Sequence, residues 1–373
     1  MISTTGTVPP GTGSATGSRL VGFDGMRGVL ALTVILVHTL GALAPVVLSH
    51  SRIDLLGQVI VVFFAMSGFL IYWPFAARLI ERRDPPSLRA YYLARAFRVY
   101  PAYLVIFLIA DLGLGAVFVH NAMESMTPFT DAGTGRITDP VELLLHLSLL
   151  QNYLPGGLQT GINSSWTLTA EITFYAVLPL LAWGAARLAA GRVRNRYLAA
   201  ALPGLFLFGF GIVMRALGAV LFSLSDLGLL QAEWGATWLG VFSRSFLVWS
   251  DNFGAGMIAV VLFIAARKGA LTHVGRWQLR AFAGWVTVVA LLAAGAAVVI
   301  LPRFVSSFVA VASAAFFLVL LLPTGRGRTS KLAVALDARP LHYVGLISLS
   351  VYLWHYPVLI VLIRLGWHAH DAP

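Results

Sequence analysis

Nine long apolar stretches constrain the fold of this chain more than any other feature of its sequence. They lie at about residues 28–49, 55–79, 99–119, 167–190, 198–222, 246–266, 281–301, 303–323 and 342–365. A helix needs roughly 20 apolar residues to cross a bilayer, and these stretches lack the alternation of apolar and polar residues that a β-barrel requires. Hydrophobic residues make up 58% of the chain and charged residues only 11%. The sequence therefore predicts an all-α, polytopic transmembrane bundle of about nine spanning helices in a lipid bilayer.

The distribution of basic residues predicts the orientation of this bundle. They are concentrated in the loops at 78–98, 187–196, 267–280 and 326–339, whereas the loops at 120–166 and 223–245 carry mixed or acidic charge. Because basic loops stay in the cytoplasm, we expect a cytoplasmic amino terminus and an external carboxyl terminus. The net charge of +11 then reflects topology, and we expect no nucleic-acid partner. Residues 1–18 are rich in Ser, Thr, Gly and Pro, which predicts a disordered cytoplasmic tail, followed by one membrane-embedded domain at 19–373.

Arg27 and His38 are ionisable residues at the start and near the middle of the first apolar stretch. Eleven residues separate them, which is about three helical turns or roughly 16 Å along one face of an α-helix. Ionisable groups are costly to bury in a membrane, so they usually face the protein interior and have a function. A structural alternative is that Arg27 anchors the helix at the headgroups and that His38 only packs.

Three further groups of polar residues lie within or beside apolar stretches. Ser67 forms a small pair with Gly68, which also suits close helix packing. Arg95 and Arg98 lie one helical turn apart at the mouth of the third stretch. Guanidinium groups suit phosphate and carboxylate partners, although positive-inside charge explains these two arginines as well.

Glu171 opens the fourth stretch and Tyr175 follows one turn deeper. The carboxylate of Glu171 is either interfacial or faces His38 across the bundle, where it would orient the imidazole. His355 is a second intramembrane histidine, flanked by Trp354 and Tyr356, and aromatic packing is its structural alternative.

Together these segments resemble acyltransferase family 3, a family of integral membrane proteins. The resemblance runs from about residue 19 to residue 360. It rests on five motifs in order: Arg27 with His38; Ser67 to Ile71; Arg95, Arg98, Tyr100 and Pro101; Trp166, Leu168, Glu171, Phe174 and Tyr175; and Tyr352 to Pro357. Family members commonly carry a further apolar helix after the last motif, and some carry a fused extracytoplasmic domain. We expect both to be missing here, since the sequence stops at Pro373.

The resemblance implies an O-acyltransferase in the bacterial cytoplasmic membrane. The donor would be cytoplasmic acyl-coenzyme A, with acetyl as the expected acyl group. The acceptor would be a hydroxyl of a glycan, a glycolipid or a glycosylated natural product. We expect no tightly bound cofactor and no metal. The expected site residues are His38 and Glu171 for catalysis, Arg27, Arg95 and Arg98 for the coenzyme A phosphates, and Ser67, Tyr175 and His355 for contacts with the substrate.

Two other functions stay open at this point. A transporter would use the intramembrane charges to line a permeation path, but the sequence has no paired repeat. A non-catalytic scaffold of a cell-envelope biosynthetic complex would bind no acyl donor.

Overall fold

The computed structural model describes residues 20–51, 53–125, 130–271, 275–324 and 328–367. The tail predicted at 1–18 lies outside these residues. The described α-helices are α1 (Phe23–Leu43), α2 (Pro45–Ser51), α3 (Val59–Ile80), α4 (Leu88–Leu108), α5 (Ala122–Ser125), α6 (Pro140–Leu147), α7 (Trp166–Gly191), α8 (Arg196–Ser223), α9 (Leu229–Trp234), α10 (Trp238–Arg244), α11 (Phe246–Arg267), α12 (Arg276–Ile300), α13 (Val305–Leu321), α14 (Lys331–Leu336), α15 (Arg339–Leu346) and α16 (Ser348–Arg364). One antiparallel pair of short strands, β1 (Val117–Phe118) and β2 (Thr134–Gly135), aligns Val117 with Gly135.

Eight helical segments in the described part of the chain are long and apolar enough to cross a membrane. A ninth is formed by α15 and α16, which are bent by 72° relative to each other. This confirms the predicted all-α bundle with about nine spans. The spanning segments are Phe23–Leu43, Ile53–Ile80, Leu88–Gly113, Asn163–Gly191, Arg196–Ser223, Trp238–Arg267, Arg276–Ile300 and Pro302–Leu321, together with the bent pair.

Three predicted boundaries differ from the structure. The third span begins at Leu88 rather than near residue 99, because the arginine-rich segment continues the helix from a cap at Ser87. The first span ends at Leu43, and the separate helix α2 follows. The last apolar stretch is broken at Ile347 instead of forming one straight helix.

Helix α11 lies at the centre of the bundle and packs against α3, α8 and α13. Small residues permit this close packing, as is common between membrane helices. A Cβ atom on Gly256 would lie only 1.8 Å from the carbonyl oxygen of Ala65 on α3. Aromatic rings fill the adjacent space: the rings of Phe253 and Phe174 stack at 4.4 Å, and those of Phe253 and Phe64 at 4.8 Å. This rigid core is the support on which the site residues of α3 and α7 are held.

Helix α1 packs along α15 and α16. The backbones of α1 and α15 are in contact, since a Cβ atom on Gly345 would lie 1.8 Å from the carbonyl oxygen of Asp24. The far end of α16 is fixed by Arg364, which donates hydrogen bonds to Asp131 Oδ2 at 2.7 Å and to the carbonyl oxygens of Leu114 and Gly115 at 3.0 and 2.8 Å. Helix α1 is therefore held against α15, which leads into α16, and the segment between α4 and α6 holds the far end of α16.

Candidate active site

The two intramembrane histidines form a hydrogen-bonded pair. His38 Nδ1 lies 2.9 Å from His355 Nε2, and the two rings stack with centroids 5.0 Å apart and planes 8° apart. The other ring nitrogen of His355, Nδ1, hydrogen-bonds to the carbonyl oxygen of Tyr352. The ring of Tyr356 lies against both imidazoles, at 4.8 Å from His38 and 4.6 Å from His355.

This chain of contacts determines where the protons of neutral imidazoles lie. A carbonyl oxygen only accepts hydrogen bonds, so Nδ1 of His355 carries the proton and its Nε2 is an acceptor. His38 must then donate from Nδ1 to His355. The remaining nitrogen of His38, Nε2, therefore bears an unprotonated lone pair, which is the state that a general base requires.

Two arginines, a glutamate and several hydroxyl-bearing residues line a small cavity of about 90 Å³ near the amino end of α1. We call it the arginine cavity; its lining includes Arg27, Ser67, Arg98 and Glu171, together with Ile60, Phe63, Phe64, Met66, Val99, Thr167, Leu168, Ser348, Leu349 and Tyr352. Ser67 Oγ donates to Glu171 Oε1 at 2.7 Å. Arg27 lies within electrostatic reach of Arg98 and Glu171. The cavity thus combines two guanidinium groups with one hydrogen-bonded carboxylate.

Glu171 occupies a different position from the one that the sequence suggests. The structure pairs its carboxylate with Ser67 and brings it near Arg27, while His38 pairs with His355. The hypothesis that Glu171 orients the imidazole of His38 is therefore wrong, because the two side chains have different partners. The reason is that α7 presents Glu171 to the arginine cavity, which His38 does not line.

His355 likewise makes contacts other than the expected one with a substrate. It is only 5% exposed, and both of its ring nitrogens are engaged by Tyr352 and His38. Neither nitrogen is left for a substrate, so we interpret His355 as a positioning residue for His38.

Arg95 and Tyr175 lie just behind the arginine cavity. Tyr175 is buried and lies close to Glu171, Arg98 and Arg95. Within the described residues, the buried Nε of Arg95 has no hydrogen-bond partner, whereas the hydroxyl of Tyr175 interacts with the carboxylate of Glu171.

His38 lines a second, larger cavity of about 590 Å³, which we call the tryptophan pocket. Three indole rings line it, those of Trp166, Trp234 and Trp249. The other lining residues are Val34, Val37, Asp54, Gly57, Gln58, Ile60, Arg215, Gly218, Leu229, Leu230, Glu233, Ser243, Arg244, Val248, Pro302, Arg303, Ser306 and Tyr352.

Buried and partly buried ion pairs form one wall of the tryptophan pocket. Glu233 binds two arginines, with Arg244 Nη2 at 2.6 Å from its Oε2 and Arg303 Nη1 at 2.8 Å from its Oε1. Arg215 makes a bidentate pair with Asp251, at 2.9 and 3.0 Å. Bidentate geometry of this kind compensates buried charges well.

The arginine cavity and the tryptophan pocket share two lining residues, Ile60 and Tyr352. These two residues therefore form part of the partition between the two spaces. Helix α1 passes beside both spaces: Arg27 lines the first and His38 lines the second. The predicted face of α1 thus connects two cavities across about three helical turns.

Comparison with known proteins identifies the family. The model of the acyltransferase domain of family 3 matches residues 20–372. The chain belongs to acyltransferase family 3. The family that the five sequence motifs predict is thereby confirmed, and with it the presence of an acyltransferase domain.

Two related proteins match this chain over only part of its length and part of their own. The acyltransferase MdmB of Streptomyces mycarofaciens is 31% identical over 169 residues, which are 43% of this chain and 39% of MdmB. An uncharacterized protein of Haemophilus influenzae is 23% identical over 121 residues, which are 32% of this chain and 46% of that protein. This chain therefore spans less than half the length of either relative. No solved structure gives a significant match.

The polar wall of the tryptophan pocket is absent from the sequence-based prediction of the site. Arg215 lies inside a predicted span, and Arg303 and Arg244 lie at the edges of two others. An arginine within an apolar stretch is itself a signal of a functional or paired charge, so Arg215 was detectable. Glu233 and Trp234 belong to the short helix α9 and carry no such signal. Among the described residues no cluster of three or more His, Asp or Glu side chains is able to hold a metal.

Proposed function

We propose that this chain is a membrane-bound O-acyltransferase of the bacterial cytoplasmic membrane. It would move an acyl group, with acetyl expected, from cytoplasmic acyl-coenzyme A to a hydroxyl of a glycan, a glycolipid or a glycosylated natural product. One observation supports this proposal above all others. The same helix α1 presents Arg27 to the arginine cavity and His38 to the tryptophan pocket, and Ile60 and Tyr352 line both spaces.

The arginine cavity has the chemistry that an acyl-coenzyme A donor needs. Arg27 and Arg98 line it, and guanidinium groups bind phosphates through paired, charge-assisted hydrogen bonds. The buried Nε of Arg95 adds a donor next to them. The cavity itself is too small for the whole coenzyme, so we propose that the phosphates bind at its arginine mouth and that the thioester end enters it.

His38 is the proposed general base. Nε2 of His38 takes the proton of the acceptor hydroxyl while the oxygen attacks the thioester carbonyl carbon. The tetrahedral intermediate collapses, the carbon–sulfur bond breaks, and the departing thiolate takes the proton back from the imidazolium. The products are an ester and coenzyme A. His355 Nε2 accepts a hydrogen bond from the Nδ1–H of His38, which keeps that proton on Nδ1 and leaves Nε2 free for this step.

Glu171 has a proposed role on the donor side. Its carboxylate is held by Ser67 and lies near Arg27. A carboxylate in this position orients the guanidinium of Arg27 toward the cavity. The predicted contacts of Ser67 and Tyr175 with the substrate would then be contacts with the acyl donor.

The test is acyl transfer by the purified protein in lipid nanodiscs. Radiolabelled acetyl-coenzyme A is supplied with a panel of neutral and acidic glycosides, and its binding is measured separately by equilibrium dialysis. We expect His38→Gln to lower transfer by roughly 10²–10⁴-fold, the usual contribution of a general base, while donor binding is kept. Arg27→Gln should instead weaken donor binding.

His120→Gln is the matched control, because His120 is exposed and lines neither cavity. Full transfer by His38→Gln would refute the assignment of the base. If the folded wild-type protein does not bind acetyl-coenzyme A, the proposed acyltransferase activity is refuted and the scaffold hypothesis is favoured.

A further inference from the structure

The guanidinium groups of the tryptophan pocket outnumber the carboxylates that pair with them. Arg215 is compensated, because Asp251 binds it through two hydrogen bonds at 2.9 and 3.0 Å. Glu233, in contrast, is shared: its Oε2 lies 2.6 Å from Arg244 Nη2 and its Oε1 lies 2.8 Å from Arg303 Nη1. We call these last three side chains the Glu233 cluster. One carboxylate serves two guanidinium groups there, so the cluster carries a net charge of +1.

This excess positive charge lies where water screens it little. The side chain of Arg244 is 6% exposed and that of Arg303 is 13% exposed. Asp54 also lines the pocket, but it is exposed, and no ion pair among the described residues joins it to these arginines. A carboxylate in contact with water compensates a buried charge only weakly. Because an uncompensated cation in a nearly enclosed space is costly, the Glu233 cluster favours an anion as a further partner.

Aromatic rings hold the guanidinium group of Arg244 by its faces. It lies 3.4 Å from the ring centroid of Trp234 and within 5.4 Å of those of Trp166 and Trp249. A guanidinium group is planar, so stacking on an aromatic face leaves its N–H donors free at the edge. The three indole rings therefore fix the direction in which Arg244 donates hydrogen bonds.

One edge of Arg244 stays available to a ligand. Nε donates to the carbonyl oxygen of Glu233 at 2.7 Å and Nη2 donates to its Oε2 at 2.6 Å. Nη1 has no acceptor among the described residues, and it is not sealed off from the pocket, whereas Nη2 of Arg303 is fully enclosed. Donors on a preorganised, charged group suit a carboxylate or a phosphate, whose charged oxygens accept hydrogen bonds.

We propose that the tryptophan pocket binds an anionic group, a carboxylate or a phosphate, that the acceptor carries. Nη1 of Arg244 would donate to one of its oxygens, and its charge would compensate that of the Glu233 cluster. His38 lines the same pocket, so a hydroxyl of the same ligand would be able to approach the proposed base. The role of the ligand as an acceptor rests on the proposed function, whereas its binding does not. Arg244 is then the specificity-determining residue that selects an acidic acceptor over a neutral one.

Three phenyl glycosides that differ only at carbon 6 of the sugar test the preference for an anion. They are phenyl β-glucoside, which is neutral, phenyl β-glucuronide, which carries a carboxylate, and phenyl β-glucoside 6-phosphate. Binding of each to the wild-type protein in nanodiscs is measured by saturation-transfer NMR with titration. We expect an anionic probe to bind at least about tenfold more tightly than the glucoside, the gain from one charge-assisted hydrogen bond, and the tighter of the two identifies the anion. Equal or weaker binding of both anionic probes overturns the proposal, as does the absence of binding of all three.

Two variants shift the charge of the Glu233 cluster in opposite directions. Arg244→Gln removes the excess charge, so the anionic probe should bind about tenfold more weakly while binding of the glucoside is kept. Glu233→Gln raises the net charge by one and should tighten binding of the anionic probe by a similar factor. Damage to the fold would weaken binding in both variants, so the opposite signs separate a charge effect from a structural one. If the folded Glu233→Gln protein binds the anionic probe no more tightly than the wild type does, the charge argument is wrong.

Two further variants are the controls. Arg187 also lies over an indole ring, 4.8 Å from the centroid of Trp183, but it is exposed and lines neither cavity. Arg187→Gln should therefore bind all three probes as the wild type does. Asp54→Asn tests the charge count, and the loss of an exposed carboxylate should change binding of the anionic probe by less than about fivefold. A tightening as large as that in Glu233→Gln would show that Asp54 compensates the arginines and would refute the count.

Acetyl-coenzyme A, measured on the same preparations, separates this proposal from the proposed function. We expect that it does not displace the anionic probe and that Arg27→Gln leaves binding of this probe unchanged. Displacement that depends on Arg244 would assign the pocket to the phosphates of the donor and refute the acceptor site. Binding of the anionic probe that depends on Arg244, without any acetyl-coenzyme A binding, supports the anion site and refutes the proposed acyltransferase activity. Acetyl transfer to the glucoside and the glucuronide with equal KM values that Arg244→Gln does not change supports the activity and refutes the anion site.

Discussion

The contact between α1 and α15 predicts a strong effect of Gly345→Ala on both stability and activity. The added Cβ would lie 1.8 Å from the carbonyl oxygen of Asp24, and Cβ atoms essentially never approach closer than 3.0 Å. The helices must therefore separate by about 1.2 Å at this point, because the opposing atom belongs to the backbone and cannot rotate away. Overpacking of this kind costs typically 1–3 kcal/mol and occasionally more.

The same displacement reaches the catalytic geometry. Gly345 lies near the end of α15, and the next helix α16 carries His355. If the 1.2 Å shift is transmitted along α16, the 2.9 Å bond between His38 and His355 lengthens beyond hydrogen-bond distance, which ends at about 3.2 Å. A misplacement of about 1 Å lowers catalysis by roughly 10²-fold. We therefore expect a comparable loss of acyl transfer at full expression.

The assay compares melting temperature and acyl transfer in Gly345→Ala and in the matched control Gly184→Ala. Gly184 lies in the spanning helix α7, and a Cβ there would meet no heavy atom within 4 Å. Alanine is the better helix former by about 1 kcal/mol, so this control should melt at or slightly above the wild-type temperature. Wild-type stability and activity in Gly345→Ala would refute the reasoning about the α1–α15 contact.

Three further predictions concern other parts of the molecule. Asp251→Asn leaves the guanidinium of Arg215 buried without its charge partner, so we expect about 3–5 kcal/mol lower stability, measured as a fall in melting temperature. Ser67→Ala removes the 2.7 Å hydrogen bond to Glu171, and a roughly tenfold lower kcat/KM for the acyl donor is expected from the loss of about 1.5 kcal/mol; an unchanged value would argue against a role on the donor side. Burial lowers the pKa of His146, so the unfolded state binds more protons in acid, and stability should fall as the pH drops below the unfolded-state pKa of about 6.5. Thermal unfolding at pH 7.5 and 5.5 tests this, and His146→Gln should show a smaller difference between the two.

The hydropathy pattern predicts the spans, and the order of the motifs predicts the family. Both patterns follow from the linear sequence and do not depend on how the helices pack. A span needs only a run of apolar residues, and Arg27 and His38 share a face of α1 because helix geometry is regular. The break at Ile347 is harder to predict from the sequence, since it depends on how α15 packs against α1. No local pattern specifies that packing.

The partners of the site residues show the same limit. Glu171 pairs with Ser67, which lies 104 positions earlier in the chain, and His38 pairs with His355, which lies 317 positions later. Both pairings follow from how separate helices are rotated about their axes and arranged around α11. A single sequence contains the residues but not this arrangement, so it identified both histidines without predicting that they meet.

Tyr352 connects the three features on which the proposed chemistry depends. Its carbonyl oxygen engages Nδ1 of His355 and thereby determines which nitrogen of His38 is free. Its hydroxyl lies 3.0 Å from Thr167 Oγ1 and donates to the carbonyl oxygen of Ser164 at 3.1 Å, which ties α16 to the beginning of α7. Its side chain also lines both cavities. A movement of this one residue would therefore change the base and the partition between donor and acceptor together, so a base in the wrong tautomer and an open passage between the two spaces would arise at the same time.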